Sequence, residues 1–404
     1  MTSTNSTPLA VGDVLEVVVE KVAHGGHFIA RHEGAVIFVR HAIPGEKSRV
    51  VITSTGASFN RGDVVQVLEP SSDRVPALCK YAHRQGCGGC DFQHISLQRQ
   101  RLLKAEVISE QFLRIAKMDL SVEVEEVGEP LHWRTRAIAT TDHKGAFGFF
   151  AARSHSVVPI NDCLIVVDEM KMPELASRNW KSDVRVEIAI SAMGERNIAL
   201  APTREKVKAR LTEGSQVLQE EVNGRKLQVS QDSFWQSHKS APEVLSKAVL
   251  EYAQLADGDH VLDLYGGVGL FTSAVVDVIG SSGSVVLIEG SKSATSDAAR
   301  NFAGKPNVAV STGDVAKLLP GISKADVVIL DPPRDGAGMA VVAQIARIKP
   351  RAVVYVACDP AALARDTGYF QDLGYSLVKI RAFDLFPMTH HIECVALYER
   401  AEVS

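Results

Sequence analysis

The chain has no run of about eighteen apolar residues, so no ordinary membrane-spanning helix is expected. Its opening stretch, Met1 to Ala10, is polar and lacks a signal-peptide core. Basic residues are not in excess: 44 Lys and Arg against 48 Asp and Glu leave a net charge of −4. The whole chain is therefore no general polycation for nucleic acid, although a local patch suffices for binding. Six cysteines are too few and too scattered for a disulfide scaffold, and a cytoplasmic setting is expected. There is no internal repeat and no low-complexity segment. What remains is an ordinary globular composition, 46% hydrophobic and 23% charged. At 404 residues it has room for about two or three domains.

Residues 8–70 carry about five short β-rich stretches, punctuated by Gly25-Gly26, Pro44-Gly45 and Arg61-Gly62-Asp63. That density suggests a small OB-like barrel. Residues 71–228 form a second unit, expected to be α+β. It opens on a cysteine-rich loop and a helix over about 94–118, which is free to pack on the third unit. The helix has an apolar face (Leu102, Leu103, Val107, Ile108, Phe112, Leu113) and a charged face bearing Arg99, Arg101, Lys104, Arg114 and Lys117. From Val229 to the end, strands alternate with helical stretches, the pattern of a doubly wound α/β sheet.

Within that third unit His260 to Gly269 reads as a strand, a glycine turn and a helix start. Such a turn brings backbone N–H groups close to a ligand. Glu289 ends the next strand, where an acid can bind ribose hydroxyls. The turn lacks the dinucleotide spacing G-x-G-x-x-G, which favours a methyl donor over NAD. A later strand ends at Asp331-Pro332-Pro333-Arg334. Cys358 follows the apolar strand Ala352–Val356, and Glu393 opens the last strand. A thiol and a carboxylate at strand ends suit covalent catalysis with a separate base. Cys394 is expected on the opposite strand face, in the core.

Together these residues resemble the RNA 5-methyluridine methyltransferases, nearly end to end. Ser233-Phe234-Trp235-Gln236, Asp263 to Gly269, Asp331-Pro332-Pro333-Arg334, Cys358-Asp359-Pro360 with Leu363-Ala364-Arg365-Asp366, and His391-Ile392-Glu393 carry the resemblance. The barrel is similar to the TRAM domain that often precedes this enzyme and is taken to bind RNA. Asp359 departs from the family's usual Asn, Gly266 from a common Cys and Trp235 from a Phe.

The resemblance implies a Rossmann-like class I methyltransferase domain using S-adenosyl-L-methionine. Gln236, Tyr265, Glu289 and Asp331 would contact that donor or the uracil. Cys358 would add to uracil carbon 6, making carbon 5 nucleophilic toward the methyl group, and Glu393 would remove the carbon 5 proton. The target base must be reachable, in a loop or flipped from its stack.

Cys79, Cys87, Cys90 and Cys163 make a possible four-sulfur site, and spacing alone does not choose zinc or iron–sulfur. Family members acting on 23S ribosomal RNA carry a [4Fe–4S] cluster on a similar set, with zinc as second choice here. The gap of seven residues after Cys79, where the family has five, leaves His83 as a substitute ligand. On this basis the expected substrate is 23S ribosomal RNA, with transfer RNA the alternative and no obligate protein partner. An RNA cytosine-5 methyltransferase and a non-catalytic cluster-bearing RNA binder are the rival readings. Arg134 and Arg136 are candidate RNA contacts or surface salt bridges. His143, His155 and His238 read as surface or loop histidines.

Overall fold

The structure is a computed structural model that describes residues 9–401. Strands Val14–Ala23, His27–His32, Ala35–Arg40, Lys47–Ser54 and Asn60–Glu69 close an N-terminal barrel. The first strand pairs with the fourth, and the third with the fifth in parallel. Alternate residues fill the interior: Val17, Val19, Phe28, Ala30, Ile37, Val39, Val50 and Ile52 are buried. Gly62 has no room for more, since a Cβ there would stand 2.4 Å from Val50 Cγ1.

The segment after the barrel is not a free-standing connector. Helix Leu97–Gln111 is capped by Ser96, whose side chain accepts the Arg99 N–H. It continues as a π turn, Phe112–Ala116, that ends at Lys117 with φ 57°. Leu103, Val107, Ile108 and Phe112 share one core with the barrel and the C-terminal sheet. The expected faces need correction. Leu102 and Leu113 are exposed, whereas Lys104 is 1% exposed and Gln100 is buried. Polar partners explain the exchange. Lys104 Nζ donates to Asp384 Oδ1 at 2.6 Å and to Phe386 O at 3.1 Å. The Gln100 amide donates to Phe92 O and Ile95 O and accepts the Met388 N–H. The helix thus ties the cysteine-rich loop to the segment preceding Glu393. Lys104→Met would leave the Asp384 carboxylate buried and unpaired. It should destabilise the protein by about 3–5 kcal/mol, read as a fall in the urea midpoint; an unchanged midpoint would contradict the ionised pair.

The central unit is a six-stranded antiparallel sheet. Its order is Arg210–Glu213, Arg196–Pro202, Val184–Ile190, Arg136–Thr141, Phe147–Phe150, Val157–Pro159, with a separate hairpin, Val217–Val222 and Arg225–Ser230. The C-terminal sheet has eight strands. In order they are Val308–Thr312, Ser284–Glu289, His260–Leu264, Val327–Leu330, Ala352–Ala357, Glu393–Arg400, Tyr375–Asp384 and Val124–Glu126. The first five are parallel and Glu393–Arg400 runs antiparallel. Val124–Glu126, from before the central sheet, pairs in parallel with Tyr375–Asp384. Covered on both faces, Val327–Leu330 and Ala352–Ala357 are buried at every position. Strand order reverses at His260–Leu264, which places a ligand crevice outside its carboxyl end. Among the described residues no helix is long and apolar enough to cross a membrane.

Candidate active site and cysteine cavity

The antiparallel ladder sets the candidate pair. Ala357 pairs with Cys394, so the next residues on the two strands, Cys358 and Glu393, stand side by side at the sheet edge. Glu393 is 4% exposed, and Cys394 turns the other way into the core. Asp331 ends the next strand along, its N–H bonded to Leu264 O. Gln236 Nε2 lies 3.5 Å from Asp331 Oδ2.

Burial dominates the electrostatics here. It pushes the Cys358 thiol up to about 12, helped by the charges of Glu393 and Asp331 and opposed by Arg334. It raises Asp331 to about 7, with nearby Asp263 adding to the shift. Glu393 is held well above the ordinary carboxylate range by burial and then by Asp331, and again Arg334 opposes. Arg334 is therefore the cation that favours ionisation of both thiol and base. Its Nη2 lies 3.4 Å from His391 Nδ1. A cavity of about 190 Å³ opens on Cys358, lined by Arg334, Asp359, His390, His391 and, from the barrel, His24, Gly25 and Gly26.

The glycine turn follows the strand His260–Leu264 at its carboxyl end. Asp263 Oδ2 accepts from Thr272 N and Oγ1, while its buried Oδ1 has no partner. Glu289 Oε2 accepts the Gly267 N–H at 3.1 Å, joining the acid of the second strand to the glycine turn of the first. Tyr265 has φ 59°. At Gly267, with φ +55°, a Cβ would meet nothing within 4 Å, so the turn presents open backbone to the crevice. The open turn, the orphaned carboxylate oxygen and Glu289 at the strand end fit S-adenosylmethionine.

Cys79, Cys87, Cys90 and Cys163 all line one cavity of about 310 Å³. All four are free. Burial raises Cys87 and Cys90, and takes Cys163 up to about 11. Among the described residues no three His, Cys, Asp or Glu side chains converge as a ready-made ligand set. The Gly89 N–H points at Cys87 Sγ at 3.4 Å, and the Val166 N–H bonds the Cys163 carbonyl oxygen at 3.2 Å. His83 is exposed and does not line the cavity, so it takes no share in the set.

Several expected surface groups lie elsewhere. Arg134 is half-buried and lines the cysteine cavity, its Nε bonded to Arg136 O. Arg136 is held inside against Glu220 at 3.6 Å. His238 is 1% exposed and stacks on Trp133 with ring centroids 5.5 Å apart, and burial lowers it to about 4. Asp263, Arg334 and His24 join the site without having been singled out as functional residues. Asp263 and Arg334 lay inside the quoted motifs, whereas nothing local marks His24, which is brought in from the barrel.

Known proteins place the chain. Residues 8–65 match the TRAM domain profile, and residues 321–401, which hold Asp331, Cys358 and Glu393, match that of tRNA (Uracil-5-)-methyltransferase. Residues 223–332, spanning the glycine turn, match Protein-L-isoaspartate(D-aspartate) O-methyltransferase. A protein named as an uncharacterized RNA methyltransferase of Streptomyces avermitilis is 42% identical over 97% of this chain and 99% of its own. One of the same description from Corynebacterium efficiens is 37% identical over 98% of each. The crystal structure of Pyrococcus abyssi tRNA (uracil-54, C5)-methyltransferase in complex with S-adenosyl-L-homocysteine superposes with a TM-score of 0.72. At 22% identity it covers 95% of this chain and 99% of that one, a likeness of fold. With a TRAM barrel ahead of a class I catalytic domain, the chain belongs to the S-adenosylmethionine-dependent RNA (uracil-5-)methyltransferase family.

Proposed function

We propose that this protein methylates carbon 5 of one uridine in 23S ribosomal RNA, in the cytoplasm, with Cys358 as nucleophile and Glu393 as base. The observation that carries the reading is the ladder register, which sets these two groups side by side, with Cys358 opening onto one cavity. The Cys358 thiol gives its proton to solvent, the thiolate adds to uracil carbon 6, and the electron pair of the ring double bond moves to carbon 5. S-adenosylmethionine supplies the methyl group that carbon 5 takes up. Glu393 then accepts the carbon 5 proton, the double bond re-forms, and the sulfur departs. Asp331, with Gln236 beside it, orients the ring; Tyr265 and Glu289 hold the donor.

A buried carboxyl group is a base only once ionised. Since Glu393 and Asp331 both titrate above the ordinary carboxylate range, single-turnover methylation should rise with pH across the acidic-to-neutral range. A rate already flat at acidic pH would contradict a buried carboxylate base.

Cys79, Cys87, Cys90 and Cys163 would hold a [4Fe–4S] cluster, with zinc the second choice. In support, the cavity of about 310 Å³ exceeds what one zinc ion needs, given Zn–S bonds of about 2.3 Å. No step above passes through it. Anaerobically purified protein should contain about four iron and four sulfide per chain; one zinc per chain and no sulfide would decide for zinc. The cluster also inclines the substrate toward 23S ribosomal RNA. Nucleosides mapped in a strain lacking the protein would lose one 5-methyluridine from 23S RNA, whereas loss from transfer RNA would redirect the assignment.

A further inference from the structure

The first hairpin turn of the barrel reaches the reaction centre. Strand Val14–Ala23 runs into His24-Gly25-Gly26, and all three line the cavity onto which Cys358 opens. His24 Nε2 lies 3.1 Å from Asp359 Oδ2. The other oxygen of that carboxylate is already engaged. Oδ1 accepts the N–H groups of Ala361 and Ala362 at 3.0 and 2.9 Å, capping helix Pro360–Asp372. Gly26 seats the turn on its far side: with φ +77°, a Cβ there would stand 2.8 Å from His390 Nδ1. The turn is thus wedged between the loop that carries Cys358 and the segment that leads to Glu393.

Asp359 poses an electrostatic difficulty. An amide would cap the helix equally well, yet a carboxylate next to Cys358 opposes formation of the thiolate. We propose that His24 is a positioning residue for methylation: its imidazolium neutralises Asp359 and ties the nucleophile loop to the barrel, so that formation of the Cys358 thiolate depends on a seated barrel turn. The inference rests on Cys358 being the nucleophile.

The charges around the turn are mixed, and Lys104, His390 and His391 line the same cavity. Cys358 faces Glu393, Asp331 and Asp359, which disfavour its thiolate, and Arg334, which favours it. His24 faces Asp359, whose hydrogen bond raises its pKa above the usual value against burial and Arg334. The imidazolium is therefore present below that raised pKa and lost as pH rises through it.

The test is the rate at which iodoacetamide alkylates Cys358 in the intact protein, followed by mass spectrometry of the peptide that holds it, across pH. Wild type should react about tenfold faster than His24→Ala while His24 is protonated, the equivalent of roughly one unit in thiol pKa. The two rates should converge once the pH exceeds the raised His24 pKa. Adding Asp359→Asn to His24→Ala should restore the rate, because the amide keeps the cap and removes the charge. Equal rates at every pH would overturn the proposal. So would a deficit that persists at alkaline pH, or a double variant as slow as the single one. Alkylation needs no methyl transfer, so these outcomes stand apart from the Cys358→Ala experiment that tests the nucleophile itself.

Discussion

Cys358→Ala should abolish methyl transfer while S-adenosylmethionine still binds. The two functions occupy different parts of the sheet edge. In the proposed site Tyr265 and Glu289 hold the donor, at the ends of the strands His260–Leu264 and Ser284–Glu289, whereas Cys358 follows Ala352–Ala357 and opens toward the barrel. Carbon 5 of uracil is a poor nucleophile until a group adds at carbon 6, and alanine offers none. The loss should be on the order of 10⁴-fold or more, the scale seen when a covalent nucleophile is removed. Methyl incorporation into RNA measures the first effect and titration calorimetry with S-adenosylmethionine the second. Methylation by the alanine variant at a comparable rate would rule out covalent activation by this thiol.

Glu393→Gln should stall the reaction later, with RNA attached. The substitution changes little in volume, and Glu393 is buried, so the site should keep its shape. An amide cannot accept the carbon 5 proton. The sulfur would stay bonded to carbon 6 of an already methylated ring, and release should slow by roughly 10²–10⁴-fold. A denaturing gel would show the adduct as protein shifted by the mass of the RNA, absent from a Cys358→Ala/Glu393→Gln double variant. Normal turnover by Glu393→Gln would send the search for the base to Asp331, a carboxyl group whose charge also acts on Cys358.

Reading along the chain found whatever is encoded locally. Ala352–Ala357 was legible to within one residue, because a strand buried on both faces is a plain apolar run. Glycine turns located the barrel strands, and motif order singled out Cys358, Glu393 and Asp331 as candidates. Groups whose role is set by distant partners were misjudged. Lys104 looks like a solvated lysine until Asp384, 280 residues on, meets it in the core. Arg134, Arg136 and His238 carry no local mark of burial, yet they face the cysteine cavity, Glu220 and Trp133. His24 was invisible for the same reason: only closure of the barrel against the catalytic domain brings it to Asp359. The four cysteines could be grouped by spacing only in part. Cys163 joins the other three through the packing of the central sheet beside the cysteine-rich loop, where Cys87 and Ala151 form a β-bridge.

The central claim is that carbon 5 of a uridine loses its proton in a reaction that requires Cys358. Its most direct test is tritium release from 5-tritiated uridine RNA, extracted from cells lacking this protein and incubated with enzyme and S-adenosylmethionine. The account predicts release from wild type and none from Cys358→Ala. An absence of release from donor-bound wild type, or release undiminished in Cys358→Ala, would contradict it.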